Sequence, residues 1–168
     1  MVFKYTDTIP NEEHYNKLDK LLELEEKKEG LKINLEHFVD PELQFEAIGL
    51  NLLGLQFNEE TQKDYLKDED AFLTYLREKT QKESVEIDEA IRLLVASETI
   101  KSKAISYNEK LINNTLKYLK TKKSETNISV TKSNLQEPDN IGSNSKFKIK
   151  FNLLEQERQE TEIELNKN

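Results

Sequence analysis

Two histidines, His14 and His37, are the side chains of this sequence best suited to metal binding or to proton transfer near neutral pH. Each follows a glutamate, since Glu13 precedes His14 and Glu36 precedes His37. The sequence has neither the Glu-x-x-His spacing of helical di-iron sites nor the His-Glu-x-x-His spacing of zinc proteases. Two separate histidines at the surface or at helix ends are the favoured interpretation, and a two-histidine site assembled by the fold is the alternative. No metal or other cofactor is predicted.

The other residue types used in catalysis form no recognisable pattern. The absence of cysteine excludes disulfides, thiolate metal sites and a cysteine nucleophile. The four glycines are scattered and make no phosphate-binding loop, and no Gly-x-Ser-x-Gly turn is present. The acidic residues 64–70 lack the central glycine and the terminal glutamate of a calcium loop. The sequence therefore predicts that the protein is not an enzyme.

Nucleic-acid binding is the other chemistry that the sequence suggests. Lysines recur between residues 101 and 123, and Tyr107 and Tyr118 among them are candidate stacking groups. Lysine is also favoured at the C-terminal end of any long helix by the helix dipole, which explains the same pattern without a ligand. The candidate nucleic-acid contacts are Lys101, Lys103, Lys110, Lys117, Lys120, Lys122 and Lys123.

Charge is distributed unevenly along the chain. Residues 1–90 carry 23 acidic and 11 basic side chains, whereas residues 91–168 carry 10 acidic and 14 basic side chains. Such asymmetry bears on association and on partners rather than on the fold. The acidic half offers a further hypothesis, in which it imitates a nucleic-acid backbone and binds a DNA-binding protein in place of DNA.

Helices are expected to position most of these residues. Asn11 is a suitable N-cap for the first helix, and Asp40 followed by Pro41 marks the start of the second. Residues 31–36 alternate between apolar and polar side chains, which is typical of a strand or of an extended linker. The principal predicted helices span residues 10–29, 40–57, 68–79 and 84–123.

The last predicted helix is unusually long and contains no proline or glycine. Apolar residues recur in it at spacings near seven, which predicts a seam for pairing with another helix as in a coiled coil. Glu98, Lys101 and Asn108 interrupt that seam, so a break between residues 97 and 102 is the alternative. The predicted helix-pairing interface consists of Ile91, Leu94, Ile105, Ile112, Leu116 and Leu119.

The C-terminal part of the chain contains the clearest strand pattern. Apolar residues alternate with lysines in residues 146–151 and with glutamates in residues 160–165, which predicts a β-hairpin with Ile149 opposite Ile163. A helix over residues 152–159, which would separate the two strands, is the alternative. The hairpin is expected either to fold back on its own domain or to add a strand to a partner's sheet. The predicted interface residues of this arm are Phe147, Ile149, Phe151, Ile163 and Leu165.

These patterns predict a mainly α-helical fold with one long helix, a polar linker and a C-terminal β-hairpin arm as a minor β component. The predicted segments are a helical domain at residues 1–123, a linker or ordered loop at 124–145 and the arm at 146–166. The predicted function is non-enzymatic assembly with copies of itself or with partner chains, for example as a structural component of a virus or mobile element. The alternative is a nucleic-acid-associated accessory protein, or an acidic inhibitor of a DNA-binding partner.

Location and partners follow from what the sequence lacks. No stretch approaches the length of about 20 apolar residues that a bilayer crossing needs, so no membrane contact is predicted. The chain turns polar at Thr6, before an apolar segment typical of a secretory signal could form. The expected location is the cytoplasm or the interior of a virion. The expected partner is protein, as a homo-oligomer or larger assembly, with nucleic acid as the second hypothesis.

Overall fold

The structure, a computed structural model, describes residues 1–133 and 144–153. Within these residues the chain combines five helices with one four-stranded sheet, so the fold is mixed α+β with helices dominant. The elements in chain order are β1 (Val2–Lys4), α1 (Glu12–Lys27), β2 (Leu31–Phe38), α2 (Pro41–Thr61), α3 (Glu69–Thr80), α4 (Ile87–Leu94), α5 (Ser97–Lys122), β3 (Ile128–Lys132) and β4 (Asn144–Leu153).

Local sequence signals explain where the first two helices start. The Asn11 side chain accepts a hydrogen bond from the main-chain N–H of His14, and the His14 ring accepts one from the N–H of Asn11. The Asp40 carboxylate accepts from the N–H groups of Glu42 and Leu43, and Pro41 occupies the first turn. Both predicted helix starts are therefore confirmed, because each cap satisfies main-chain donors that a helix leaves unpaired.

The single long helix predicted over residues 84–123 is not confirmed. The chain leaves helical geometry at Val95 and Ala96 and forms α4 and α5 instead. Gly49 of α2 shows why, because side-chain atoms of both Ile91 and Ile100 would contact a Cβ placed there. In one straight helix these two residues would lie about 13 Å apart along the axis. The break allows both to pack against the same position of α2.

The core consists of two apolar clusters that α5 connects. Ile100, in the N-terminal half of α5, belongs to a cluster formed with α2, α3 and α4, around Ile48, Leu53 and Phe57. Leu119, at the other end of α5, belongs to a cluster in which α1 and α5 cover one face of the sheet. The 26 residues of α5 extend about 39 Å, which is long enough to serve both clusters.

The sheet has the strand order β1-β4-β2-β3. β2 pairs with β3 in parallel and with β4 in antiparallel orientation, and β1 pairs antiparallel with the other side of β4. The helices α2 to α5 connect β2 to β3, as a parallel pair requires a long crossover. The four strands thus come from all three segments predicted from the sequence, and main-chain hydrogen bonds join them.

The predicted hairpin arm is not confirmed. Its first strand, β4, is an interior strand of the sheet, and Phe147 in the first half of β4 is 2% exposed. Phe147 exchanges main-chain hydrogen bonds with Met1, so it is not available for pairing with Leu165. The proposed second strand, with Ile163 and Leu165, lies outside the described residues. Of the predicted hairpin, the structure therefore shows only the first strand, which pairs with β1 and β2.

Candidate protein-interaction site

The exposed half of β4 is the candidate site. Phe147 is buried, but the next three residues on the same face of the strand are exposed: Ile149 is 37%, Phe151 52% and Leu153 41% exposed. Their register partners on β2 are Leu35, Ile33 and Leu31, all buried. We name these three exposed residues, Ile149, Phe151 and Leu153, the β4 strip.

The main chain of the β4 strip is also open along one edge. β1 accompanies β4 only as far as the Met1–Phe147 pair, within the part of the chain that the structure describes. Main-chain N–H and C=O groups of alternate residues point to the same side of a strand, so those of the strip point to the side that Phe147 uses for Met1. Among the described residues, therefore, no strand pairs with this edge at Ile149, Phe151 and Leu153, whose main-chain groups lie there together with their apolar side chains.

A concave surface adjoins the strip at the end of α1. Leu24 and Lys28 face Phe151 and Leu153 across a cavity of about 320 Å³. The floor of this cavity includes Leu31 of β2, which belongs to the sheet core. An apolar side chain that enters here would extend an existing core rather than cover an isolated patch.

The opposite face of β4 is basic. Lys148 and Lys150 alternate with the strip residues and are exposed. Lys150 forms an ion pair with Glu36 on β2, and the Lys148 ammonium lies 5.2 Å from the centre of the Phe38 ring. One face of the strand is thus apolar and the other positively charged. Lysines beside an open edge are a common protection against indiscriminate strand pairing.

The structure divides the predicted arm residues. Ile149 and Phe151 are exposed, as an interface requires, whereas Phe147 belongs to the sheet core. Leu153 was not among the predicted interface residues, although it continues the same alternation of apolar positions. Ile163 and Leu165 lie outside the described residues.

The predicted helix-pairing residues do not form one face. Ile91 and Leu94 pack in the α2–α5 cluster, whereas Ile112 and Leu119 pack in the sheet cluster. Leu116 is half-buried, and Ile105 is 54% exposed. The break before α5 separates the first two from the rest, and a spacing of seven drifts by about 20° per repeat in a straight helix.

The seven candidate lysines of α5 fall into two groups. Three are paired with carboxylates: Lys101 with Glu98, Lys122 with Asp19 and Lys123 with Glu25. Within residues 1–133 and 144–153 no ion pair involves the other four, which are exposed: Lys103, Lys110, Lys117 and Lys120. Lys103, Lys110 and Lys117 are seven residues apart in sequence and therefore share one face of the helix.

A buried amide pair on α2 and α5 was not predicted. The Gln44 and Asn108 side chains exchange two hydrogen bonds, of 2.9 and 3.1 Å. They lie beside a groove of about 510 Å³ between the start of α2, α5 and the end of β3. Sequence patterns carry no signal for this contact because the residues are 64 positions apart. The pair satisfies polar groups at a point between the two apolar clusters.

The two histidines lie in separate environments. The His14 ring donates to the main-chain oxygen of Val2 at 2.8 Å and thereby fastens β1 to α1. His37 is 1% exposed, and neither ring nitrogen has a hydrogen-bond partner among the described residues. Burial lowers the pKa of His37 to about 4, and nearby Lys132 acts in the same direction. The surface or helix-end position expected for His37 is wrong. Position 37 continues the alternation of Leu31, Ile33 and Leu35, which is the signal that indicated burial.

The described residues contain no group of three or more His, Asp or Glu side chains able to hold a metal ion. Nor does any helix in residues 1–133 or 144–153 combine the length and apolar character needed to cross a membrane.

No family model, curated protein or solved structure matches the chain. A function therefore rests on the residues and geometry of the chain itself.

Proposed function

We propose that the protein is a non-enzymatic interaction protein that assembles with copies of itself or with partner chains through the β4 strip. The observation that supports this proposal is the coincidence of three exposed apolar side chains with a main-chain edge that no strand in residues 1–133 or 144–153 covers. An incoming strand would satisfy the main-chain groups and cover the side chains at once. A structural role in a virus or mobile element, within a virion or the cytoplasm, is the setting that we propose.

The strip is a better candidate surface than the isolated exposed apolar residues elsewhere. Leu66 is 75% and Ile105 54% exposed, but each is a single side chain on a helix or turn, and single exposed residues are normal. The strip also joins a cavity floored by the sheet core. Because Phe151 is already about half covered, its complete burial would contribute about 1 kcal/mol to association, roughly half the value for a fully exposed side chain.

Light scattering on the full chain tests this function. We expect a defined oligomer whose dissociation constant rises at least about tenfold in Phe151→Asp, because the charge would have to be buried in the contact. Leu66→Asp is the matched control, since it also places a carboxylate at an exposed apolar position, and it should leave the mass unchanged. Ile105→Asp tests the helix-pairing surface in the same assay. A monomer at all concentrations, or equal effects of Phe151→Asp and Leu66→Asp, would contradict assembly through the strip.

The second candidate function is association with nucleic acid through α5. The observation in its favour is the face with Lys103, Lys110 and Lys117, which recur about every 10.5 Å along the helix and have no carboxylate partner within the described residues. Phosphate groups would provide the missing counter-charge. The related hypothesis, an acidic surface that occupies a DNA-binding protein, has no comparable structural feature in its favour.

Salt titration of binding to a single-stranded oligonucleotide tests the second candidate. Replacing Lys103, Lys110 and Lys117 with glutamine should lower the slope of log affinity against log salt by about 2, since each phosphate contact contributes about 0.7. Lys101→Gln with Lys122→Gln is the control pair, because both lysines already face carboxylates. Equal slopes for the wild type and the triple variant would exclude this surface.

A further inference from the structure

We propose that the open edge of β4 accepts residues 160–164 of a second copy of the chain as an added strand. This inference rests on the proposed assembly function and names both the partner and the segment that it contributes. Two copies that exchange these segments would form a symmetric pair with two equivalent contacts, as closed dimers do.

The open edge defines what can bind there. Ile149, Phe151 and Leu153 offer main-chain groups along the edge and apolar side chains on the face toward α1. An occupant must therefore be extended, and every second side chain must be uncharged and able to pack against an apolar surface. The alternate positions would lie on the face of Lys148 and Lys150, where acidic side chains are favoured over basic ones.

Residues 160–164 of this chain, Glu-Thr-Glu-Ile-Glu, place the β-branched residues Thr161 and Ile163 on one face and three glutamates on the other. An aromatic side chain opposite a β-branched one, as Phe151 opposite Thr161, is a favourable cross-strand pair. With Ile163 opposite Ile149, Thr161 lies opposite Phe151 and Glu162 opposite Lys150. The cavity beside Leu24 and Phe151 lies on the same face as Thr161 and Ile163 in this register. Because Met1 already pairs with Phe147, the added strand ends at Glu164 and leaves Leu165 beyond the pairing.

The connection between the two segments favours a second copy over the same chain. A hairpin would require a loop over residues 154–158, whose sequence is Leu-Glu-Gln-Glu-Arg. This loop contains no Gly, Asn, Asp or Pro, the residues that favour tight turns. A connecting segment without residues that favour a tight turn disfavours a hairpin within one chain. It thereby promotes exchange of residues 160–164 between copies.

Disulfide cross-linking in the full chain tests the proposal. In the stated register Asn152 lies opposite Glu160 at a pair without main-chain hydrogen bonds, where Cα atoms are about 4.5 Å apart, within the range that a disulfide spans. The natural chain has no cysteine, so Asn152→Cys with Glu160→Cys introduces the only two thiols. Under mild oxidation we expect disulfide-linked dimers. Asn152→Cys with Thr161→Cys is the control, since its second thiol lies on the other face, and it should cross-link at least tenfold more slowly.

The possible results distinguish the occupants. Linked dimers formed selectively by the Glu160→Cys variant support strand exchange. A disulfide within one chain would overturn it and place the chain's own segment on the edge. Equal or absent cross-linking in both variants would also overturn it. In that case, an oligomer that Phe151→Asp disrupts in light scattering would still support the proposed assembly function. A protein that remains monomeric would contradict both the assembly function and the strand exchange.

Discussion

Replacing Phe147 with alanine is expected to lower the free energy of unfolding by about 3–5 kcal/mol, the usual cost of removing a buried phenylalanine. The ring is 2% exposed and packs edge-on against Phe3 at a centroid distance of 5.3 Å. It also lies 5.0 Å from the ring of His37. The substitution would leave a cavity where β1, β2 and β4 meet, so the whole sheet layer should lose stability.

Phe151→Ala is the matched control for this prediction. It removes the same side chain from the same face of the same strand, four residues away, but Phe151 is 52% exposed. We expect a loss of less than about 1 kcal/mol, because little apolar surface leaves the core. Urea unfolding followed by circular dichroism measures both variants. Similar small losses would show that β4 is a separable arm after all, as the sequence pattern suggests.

The helix starts were predictable because their causes are local. Asn11 and Asp40 cap donors within three residues of themselves, so the sequence window around each contains the whole explanation. The break between α4 and α5 was not predictable in the same way. It depends on Ile91 and Ile100 meeting Gly49, which is distant in sequence and brought near only by the fold.

The sheet shows even more clearly the difference between features with local causes and features that depend on distant residues. The alternation in residues 146–151 correctly indicates a strand, but its neighbours are β1 and β2, more than 100 residues earlier in the chain. Strand pairing is specified by which faces can be buried together, and a local alternation is compatible with many partners. For the site, the pattern predicted an interface at Ile149 and Phe151, and both are exposed in the structure. The pattern did not indicate which edge of β4 lacks a neighbouring strand among the described residues.

His37 supplies the second large expected effect, a loss of stability in mild acid. Because burial lowers the pKa of the folded state from 6.5 to about 4, the unfolded chain binds more protons between these values. Stability from the neutral ring is fully present above pH 6.5 and is lost as the pH falls towards 4. The total is roughly 3 kcal/mol, of which about 2 kcal/mol should disappear between pH 7 and pH 5.

His37→Leu should remove most of this dependence. Neither ring nitrogen has a hydrogen-bond partner among the described residues, so leucine sacrifices no such contact, and the variant should be at least as stable as the wild type at pH 7. Burial also lowers the pKa of His14. The unfolding free energy of the variant should therefore still fall towards acid pH, but with a smaller slope than in the wild type.

The pH window separates the histidines from the carboxylates. Glu25 accepts hydrogen bonds from Thr126 and Asn127, and its lowered pKa means that its contribution is lost only below its ordinary value of 4.5. Unfolding free energies measured in urea at pH 7, 6 and 5 therefore exclude most of the carboxylate contribution. The difference between the wild type and His37→Leu also removes the shared contributions of His14 and of the N-terminal amine, whose pKa burial lowers as well. Parallel profiles of unfolding free energy against pH for the wild type and His37→Leu would show that protonation of another group causes the loss of stability. Convergence of the variant on a nearly flat profile would locate the acid sensitivity of the fold at the junction of β2, β3 and β4.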